Sequence, residues 1–191
     1  MEYALLGDLH SSIDDTKAVL AHIALTAPTA KVIGLGDLFE CKIGKRKANT
    51  LRLSRIEETA VWSETFESLL TFSSVRGNQE ERIMMVTSGN QFKHLPEHII
   101  IDGAMLMHGH QWEWTKEWTP VLPKTEPPLL FFGHSHEAGL YRKGKRLPFS
   151  YGVPVYLKVK RYGINAGAVF GTREWVLYDA VTRAVTFMKT D

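Results

Sequence analysis

Cysteine is almost missing from this chain. Cys41 is the one cysteine in 191 residues, which excludes an internal disulfide framework and fits a reducing compartment. Long apolar runs are missing too. None approaches the roughly 18–20 residues a membrane-spanning helix needs, and Met1 to Leu6 runs straight into Gly7-Asp8 without a charged-then-apolar leader. A soluble, cytoplasmic protein without a membrane partner is expected. Charge of one sign is also lacking, since 23 Lys and Arg face 21 Asp and Glu for a net +2. No global case for nucleic acid follows, and any basic patch must be local. There is no repeat, no low-complexity linker and no break in composition. With 44% hydrophobic residues, the sequence is expected to form a single domain over residues 1–191.

What is present is a set of short apolar runs, each ending in polar residues. Residues 2–6 read as a buried strand ending at Gly7-Asp8. Ser11 or Ser12 caps a helix to about Ala27, which Pro28 stops. Residues 31–35 read as a second buried strand, ending at Gly36-Asp37. The spacing of Leu53, Ile56, Ala60, Phe66 and Leu70 predicts one long helix over 51–70. Residues 74–75 close a third strand, and 80–86 read as helix. Residues 98–101 and 104–107 form a hairpin around Asp102-Gly103. Residues 112–128 are rich in Trp and weakly periodic. Strands follow at 129–132, 153–157, 163–165, 174–178 and 184–188. The order βαβαβα followed by mostly β predicts an α/β fold, with strands buried between layers.

Candidate ligands cluster where strands end. Asp8 and His10 follow the first strand, Asp37 the second and Asn78 the third. His108 follows 104–107, and His134 and His136 follow 129–132. Ligands bind at the carboxyl ends of strands in open α/β sheets. Asp-x-His at 8–10 and His-x-His at 134–136 place side chains on the same side of an extended segment. Oxygen and imidazole donors without thiolate suit Mn²⁺, Fe, Zn²⁺ or Ni²⁺. Seven candidates are too many for one tetrahedral site and suit two divalent ions sharing Asp37.

The blocks GDLH (7–10), GD (36–37), RGNQE (76–80), MHGH (107–110) and GHSH (133–136) together resemble the calcineurin-like metallophosphoesterase family. The short length and the HGH block are similar to its small bacterial and archaeal phosphodiesterase-type branch. The resemblance implies a four-layer α/β/β/α sandwich and two divalent metal ions, with Mn²⁺ the first expectation. Asp8, His10, Asp37 and His136 would hold one, and Asp37, Asn78, His108 and His134 the other. It implies hydrolysis of phosphodiester or nucleotide-type substrates by a metal-bridging hydroxide. Alternatives are a dinucleoside-polyphosphate pyrophosphohydrolase and a non-catalytic protein-binding scaffold.

The chain departs from the family at Gln79, where many members have a His. Gln donates a hydrogen bond but is no general acid, so activated leaving groups would be favoured. His110 is the substitute acid or else orients its loop. Arg76 contacts phosphate or forms a loop ion pair. The later block, INAGA (164–168), lacks the family's Pro and Ser, which leaves the role of Asn165 open. Two basic stretches, 42–55 and 142–161, contain no acidic residue. They read as solvated surface or as a rim that draws in nucleotides or nucleic acid. Trp112, Trp114, Trp118, Tyr141, Phe149, Tyr151 and Tyr156 pack loops or stack on a substrate ring.

Overall fold

The computed structural model describes residues 1–53, 55–124 and 126–191. In chain order the elements are β1 (Glu2–Leu6), α1 (Ile13–Thr26), β2 (Lys31–Gly34), α2 (Lys45–Ala48), α3 (Ile56–Thr59), α4 (Glu64–Glu67), β3 (Ser73–Ser74) and α5 (Asn78–Thr87). The second half holds β4 (His98–Ile101), β5 (Ala104–Met107), β6 (Leu129–Phe132), β7 (Gly139–Arg142), β8 (Lys145–Leu147), β9 (Val155–Tyr156), β10 (Tyr162–Asn165), β11 (Glu174–Asp179) and β12 (Ala184–Lys189).

The strands form two six-stranded mixed sheets, ordered β3-β2-β1-β11-β12-β9 and β4-β5-β6-β10-β7-β8. Each has a parallel portion: β3, β2 and β1 along one side of the first, and β5, β6 and β10 at the centre of the second. Every candidate ligand follows one of these parallel strands. The alternation within strands explains the layers. Leu5, Ile33, Val176 and Tyr178 of the first sheet meet Leu106, Phe131 and Ile164 of the second in one buried core. Residues on the other face of the first sheet, Ala4, Leu6 and Trp175, pack with Val19, Ile23, Phe66 and Ile83 beneath the helices.

This is the α/β layered sandwich expected. Its fourth layer is not helical among the described residues. Trp112 and Trp114 pack their rings on Phe132 of the second sheet, at 4.8 and 5.8 Å between centroids.

The long helix expected over 51–70 is corrected to two single turns, α3 and α4; position 54 lies outside the described residues. Ala60 adopts extended backbone and bridges Cys41, which ends α3. Ser63 then starts α4 afresh, its Oγ accepting from Phe66 N–H at 3.1 Å. The apolar spacing that suggests one helix serves instead to pack two turns under Phe39 and Trp62. The hairpin β7–β8, with Lys143 and Gly144 both at positive φ in its turn, is an element the sequence pattern hides. At the start of α1, Ser12 donates to Asp15 at 2.8 Å rather than capping a helix N–H.

Candidate metal centre

The strand ends bring the seven candidate ligands into one cleft. Asp8, His10 and His136 form one group of mutually close donor atoms, and Asp37, His108 and His134 a second. Asn78 joins the second, its Oδ1 lying 3.1 Å from His108 Nε2. Asp37 Oδ2 is 3.3 Å from His108 Nε2 and 4.0 Å from His10 Nε2, so one carboxylate faces both groups. Asp8 Oδ1 is 3.3 Å from His136 Nε2 and 3.8 Å from His10 Nε2.

Tight local geometry produces this convergence. Asp8, His10, Asp37, His134 and His136 all have positive φ, between 47° and 72°. For non-glycine residues this is a sparsely populated region that clusters at functional sites. Backbone bonds hold it: Asp8 N–H donates to Gly36 O at 3.1 Å, and Leu9 and His10 N–H both donate to Asp37 O at 2.9 and 3.1 Å. Glycine is required at 77 and 133, because a Cβ there would strike the carboxylates of Asp37 and Asp8 respectively.

The donor chemistry fits divalent cations. His108 Nδ1 is 2.8 Å from Leu35 O, which sets Nδ1 as the protonated donor and turns Nε2 to the cleft. Nε2 then meets two oxygen acceptors, Asn78 Oδ1 and Asp37 Oδ2, which repel its lone pair unless positive charge lies among them. His10 is oriented likewise, with Nδ1 2.5 Å from Glu40 Oε2, and its Nε2 faces His136 Nε2 at 3.0 Å. Asp8 Oδ1 is buried and has no hydrogen-bond partner among the described residues. These groups fit a site built for cations.

The titration behaviour has the same cause. Burial alone would push the Asp8 carboxyl up, but the neighbouring His10 and His136 imidazoles outweigh it and hold it well below the usual range. Burial disfavours charge on His10, yet Asp8, Glu40 and Asp37 raise it to about 10. His108 is raised to about 9, with Asp37 and Asp8 overcoming burial. Burial opposes ionisation of Asp37, but the charge and hydrogen bond of His108 bring its pKa down. His134 is lowered to about 4 by burial and then by His108, which keeps it a neutral donor. A potential that retains protons on His10 and His108 also attracts metal ions.

Other residues have supporting positions. Glu80 is fully buried and accepts from Asp37 N–H (3.0 Å), Phe39 N–H (3.0 Å) and Gly77 N–H (2.8 Å), clamping two ligand-bearing loops together. Burial and the charge of Asp37 raise its pKa to about 7. Glu80 is in a quoted block, but nothing in the spacing signals the clamp. Asn165 donates to Gly133 O (2.7 Å) and Ser135 Oγ (2.8 Å), bracing the loop that carries His134 and His136. This gives INAGA a role through its Asn.

Gln79 is nearly buried, and its Oε1 accepts from Cys41 N–H at 3.2 Å and Arg82 Nη1 at 3.3 Å. Arg76 contacts Leu95 O (3.1 Å), Glu97 (3.2 Å) and Glu81 (3.6 Å). His110 Nε2 pairs with Glu81 at 3.1 Å, and its ring lies 5.3 Å from that of His108. Trp118, 55% exposed, has its ring 6.1 Å from that of His134. In the first basic stretch, Lys42 bonds Glu57 O and Arg52 bonds nearby carbonyls, whereas Lys45 lines a cavity beside His134. In the second, Arg146 pairs with Glu137 at 2.5 Å and Arg142 lies over Tyr162.

A family model described as the calcineurin-like phosphoesterase superfamily domain matches residues 1–174. Among solved structures, a metallophosphoesterase from Sphaerobacter thermophilus is 19% identical and covers 100% of this chain and 89% of its own, at a TM-score of 0.69. An archaeal phosphodiesterase is 15% identical at a TM-score of 0.50, covering 100% of both chains. A candidate diadenosine tetraphosphatase is 14% identical at 0.52, covering 100% of this chain and 94% of its own. At these identities the likeness bears on the fold. No curated protein matches the chain.

Proposed function

Because this chain belongs to the calcineurin-like phosphoesterase superfamily, we propose that its cleft hydrolyses phosphodiester or nucleotide-type substrates with two divalent cations. Residues 1–191 act as a single catalytic domain in this reading. Asp37 carries it, since its Oδ2 faces both donor groups at 3.3 and 4.0 Å.

Asp8, His10, His136 and Asp37 would hold one cation, and Asp37, Asn78, His108 and His134 the other. When bound, such cations lower the pKa of a coordinated water and neutralise charge on phosphate oxygens. Oxygen and nitrogen donors make Mn²⁺ the first metal to test, with Fe, Zn²⁺ and Ni²⁺ next.

The chain's own residues do the rest. Glu40 and Leu35 O fix the rings of His10 and His108, so the cleft is organised before substrate arrives. In the net reaction water adds to phosphorus, the bond to the leaving oxygen breaks, and that oxygen gains a proton. His110 is the donor for this proton, with Glu81 holding its Nε2 at 3.1 Å and its buried Nδ1 without a partner among the described residues. Trp118 offers its exposed indole to an aromatic ring on the substrate.

The test is hydrolysis of bis-p-nitrophenyl phosphate by Mn²⁺-loaded protein, with elemental analysis of bound metal. Asp37→Asn or His108→Ala should abolish turnover and reduce metal content. Unchanged activity in either variant overturns the assignment. Two tightly held metals with no turnover on any phosphoester would favour the protein-binding scaffold instead.

A further inference from the structure

Beside the second donor group lies a cavity of about 320 Å³, at the small end of ligand sites. Asn78 and His134 line it and also belong to the candidate centre, so the cavity continues from the cleft. Its other walls come from two places. Lys45 and Asn49 belong to α2 and its end, while Arg82 and Met85 follow Asn78 along α5. Positions 78, 82 and 85 are spaced i, i+4 and i+7, which puts them on one helical face. A candidate ligand, a cation and an apolar surface therefore stand in one stripe.

The charge balance of this cavity is uneven. Among the described residues, Glu81 is its one lining carboxylate, and it is already met by His110 at 3.1 Å and Arg76 at 3.6 Å. Among the described residues, Lys45 has no carboxylate within 4.0 Å. The Arg82 guanidinium donates to the neutral Gln79 Oε1 at 3.3 Å. Two uncompensated cations thus face a cavity that opens from a phosphate-binding centre. A neutral alcohol leaving group has no use for them. A second phosphate does, as charge-assisted contacts from Arg and Lys are the usual means of holding one.

Resting on the phosphoesterase reading above, we propose that Lys45 and Arg82 form a subsite for a second phosphate, and that the preferred substrates are phosphoanhydrides such as nucleoside diphosphates and dinucleoside polyphosphates. The bond broken is that between the phosphorus at the centre and the bridging anhydride oxygen. Water supplies the new oxygen on that phosphorus. The bridging electron pair leaves with the second phosphate, and a proton of the water passes to solvent. A phosphate leaves without being protonated, which suits a chain with Gln79 after Asn78. Lys45 and Arg82 stabilise the charge that grows on the departing group.

The test compares wild type, Lys45→Ala, Lys45→Arg and Arg82→Gln as Mn²⁺-loaded proteins. Calorimetry first measures binding of inorganic pyrophosphate against inorganic phosphate. Wild type should prefer pyrophosphate about tenfold or more. Lys45→Ala and Arg82→Gln should each erase most of that preference, and Lys45→Arg should retain it. The kcat/KM ratio for ADP over bis-p-nitrophenyl phosphate should fall about tenfold in Lys45→Ala and Arg82→Gln, corresponding to about 1.4 kcal/mol. Lys45 is exposed, so its variant keeps the test valid if Arg82→Gln fails to fold. An unchanged pyrophosphate preference, or an equal loss on both substrates, overturns the subsite. A wild type that cleaves no phosphoester overturns the parent reading, and pyrophosphate binding then reports on the subsite separately.

Discussion

The side-chain oxygen of Gln79 accepts a hydrogen bond from Cys41 N–H at 3.2 Å, joining the first turn of α5 to the segment after Asp37. Placing a histidine here would break that bond before it supplied an acid. Gln79→His should lower stability by about 1 kcal/mol and leave the monoesterase-to-diesterase ratio unchanged. Chemical denaturation and paired assays check this. A rise in the ratio would show that the position reaches the reacting phosphate.

Glu80 accepts three backbone N–H groups without contact with solvent. Glu80→Gln keeps the shape but turns a donor towards at least one of those N–H groups. Unfolding free energy should fall by about 1–3 kcal/mol. Metal affinity should weaken about 10–100-fold, as for other residues that orient ligands. Denaturant curves and metal titration measure the two effects separately.

His110 and Glu81 are tested by leaving group. If His110 delivers the proton, His110→Ala should slow kcat for alkyl phosphodiesters by about 100-fold. p-Nitrophenyl esters, which leave readily, should lose less than about tenfold by the same reasoning. Equal losses on both would limit His110 to holding its loop.

Asp15 ties the start of α1 to residues 171–173. Burial opposes its ionisation, but Gly171 N–H (3.0 Å), Arg173 (2.7 Å) and Ser12 (2.8 Å) hold its carboxyl below the usual range. A folded-state pKa below the unfolded value, about 3.9, gives stability that is complete above that value. It is lost as pH falls through the folded value. Asp15→Asn should therefore be less stable than wild type by about 1 kcal/mol at pH 7. The gap should close as the solution is acidified below about pH 4. A gap independent of pH would remove the charge from the explanation.

The candidate site was more legible in the sequence than the fold around it. Buried parallel strands are read as apolar runs, and their ends at Asp8, Asp37, Asn78, His108 and His134 stand out as polar interruptions. The region 51–70 misleads because Ile56, Ala60 and Phe66 pack inward at a helical spacing while Ser63 restarts the backbone. The β7–β8 hairpin is hidden for the opposite reason. Lys143, Lys145 and Arg146 look like solvated surface, whereas Leu140 and Leu147 pair across the turn. Nothing in one-dimensional spacing reveals that Glu80 joins loops 41 to 43 positions away.

The five left-handed ligand positions set a limit on improving this protein. Each conformation costs about 1–3 kcal/mol for a residue with a side chain, and glycine would adopt it freely. Screening for heat resistance alone would therefore favour losing the ligands at Asp8, His10, Asp37, His134 and His136. Bound cations oppose that drift, since a ligand held only by the folded form adds to its stability. Selection for durability in metal-poor medium and selection for turnover should consequently pull this sequence in different directions.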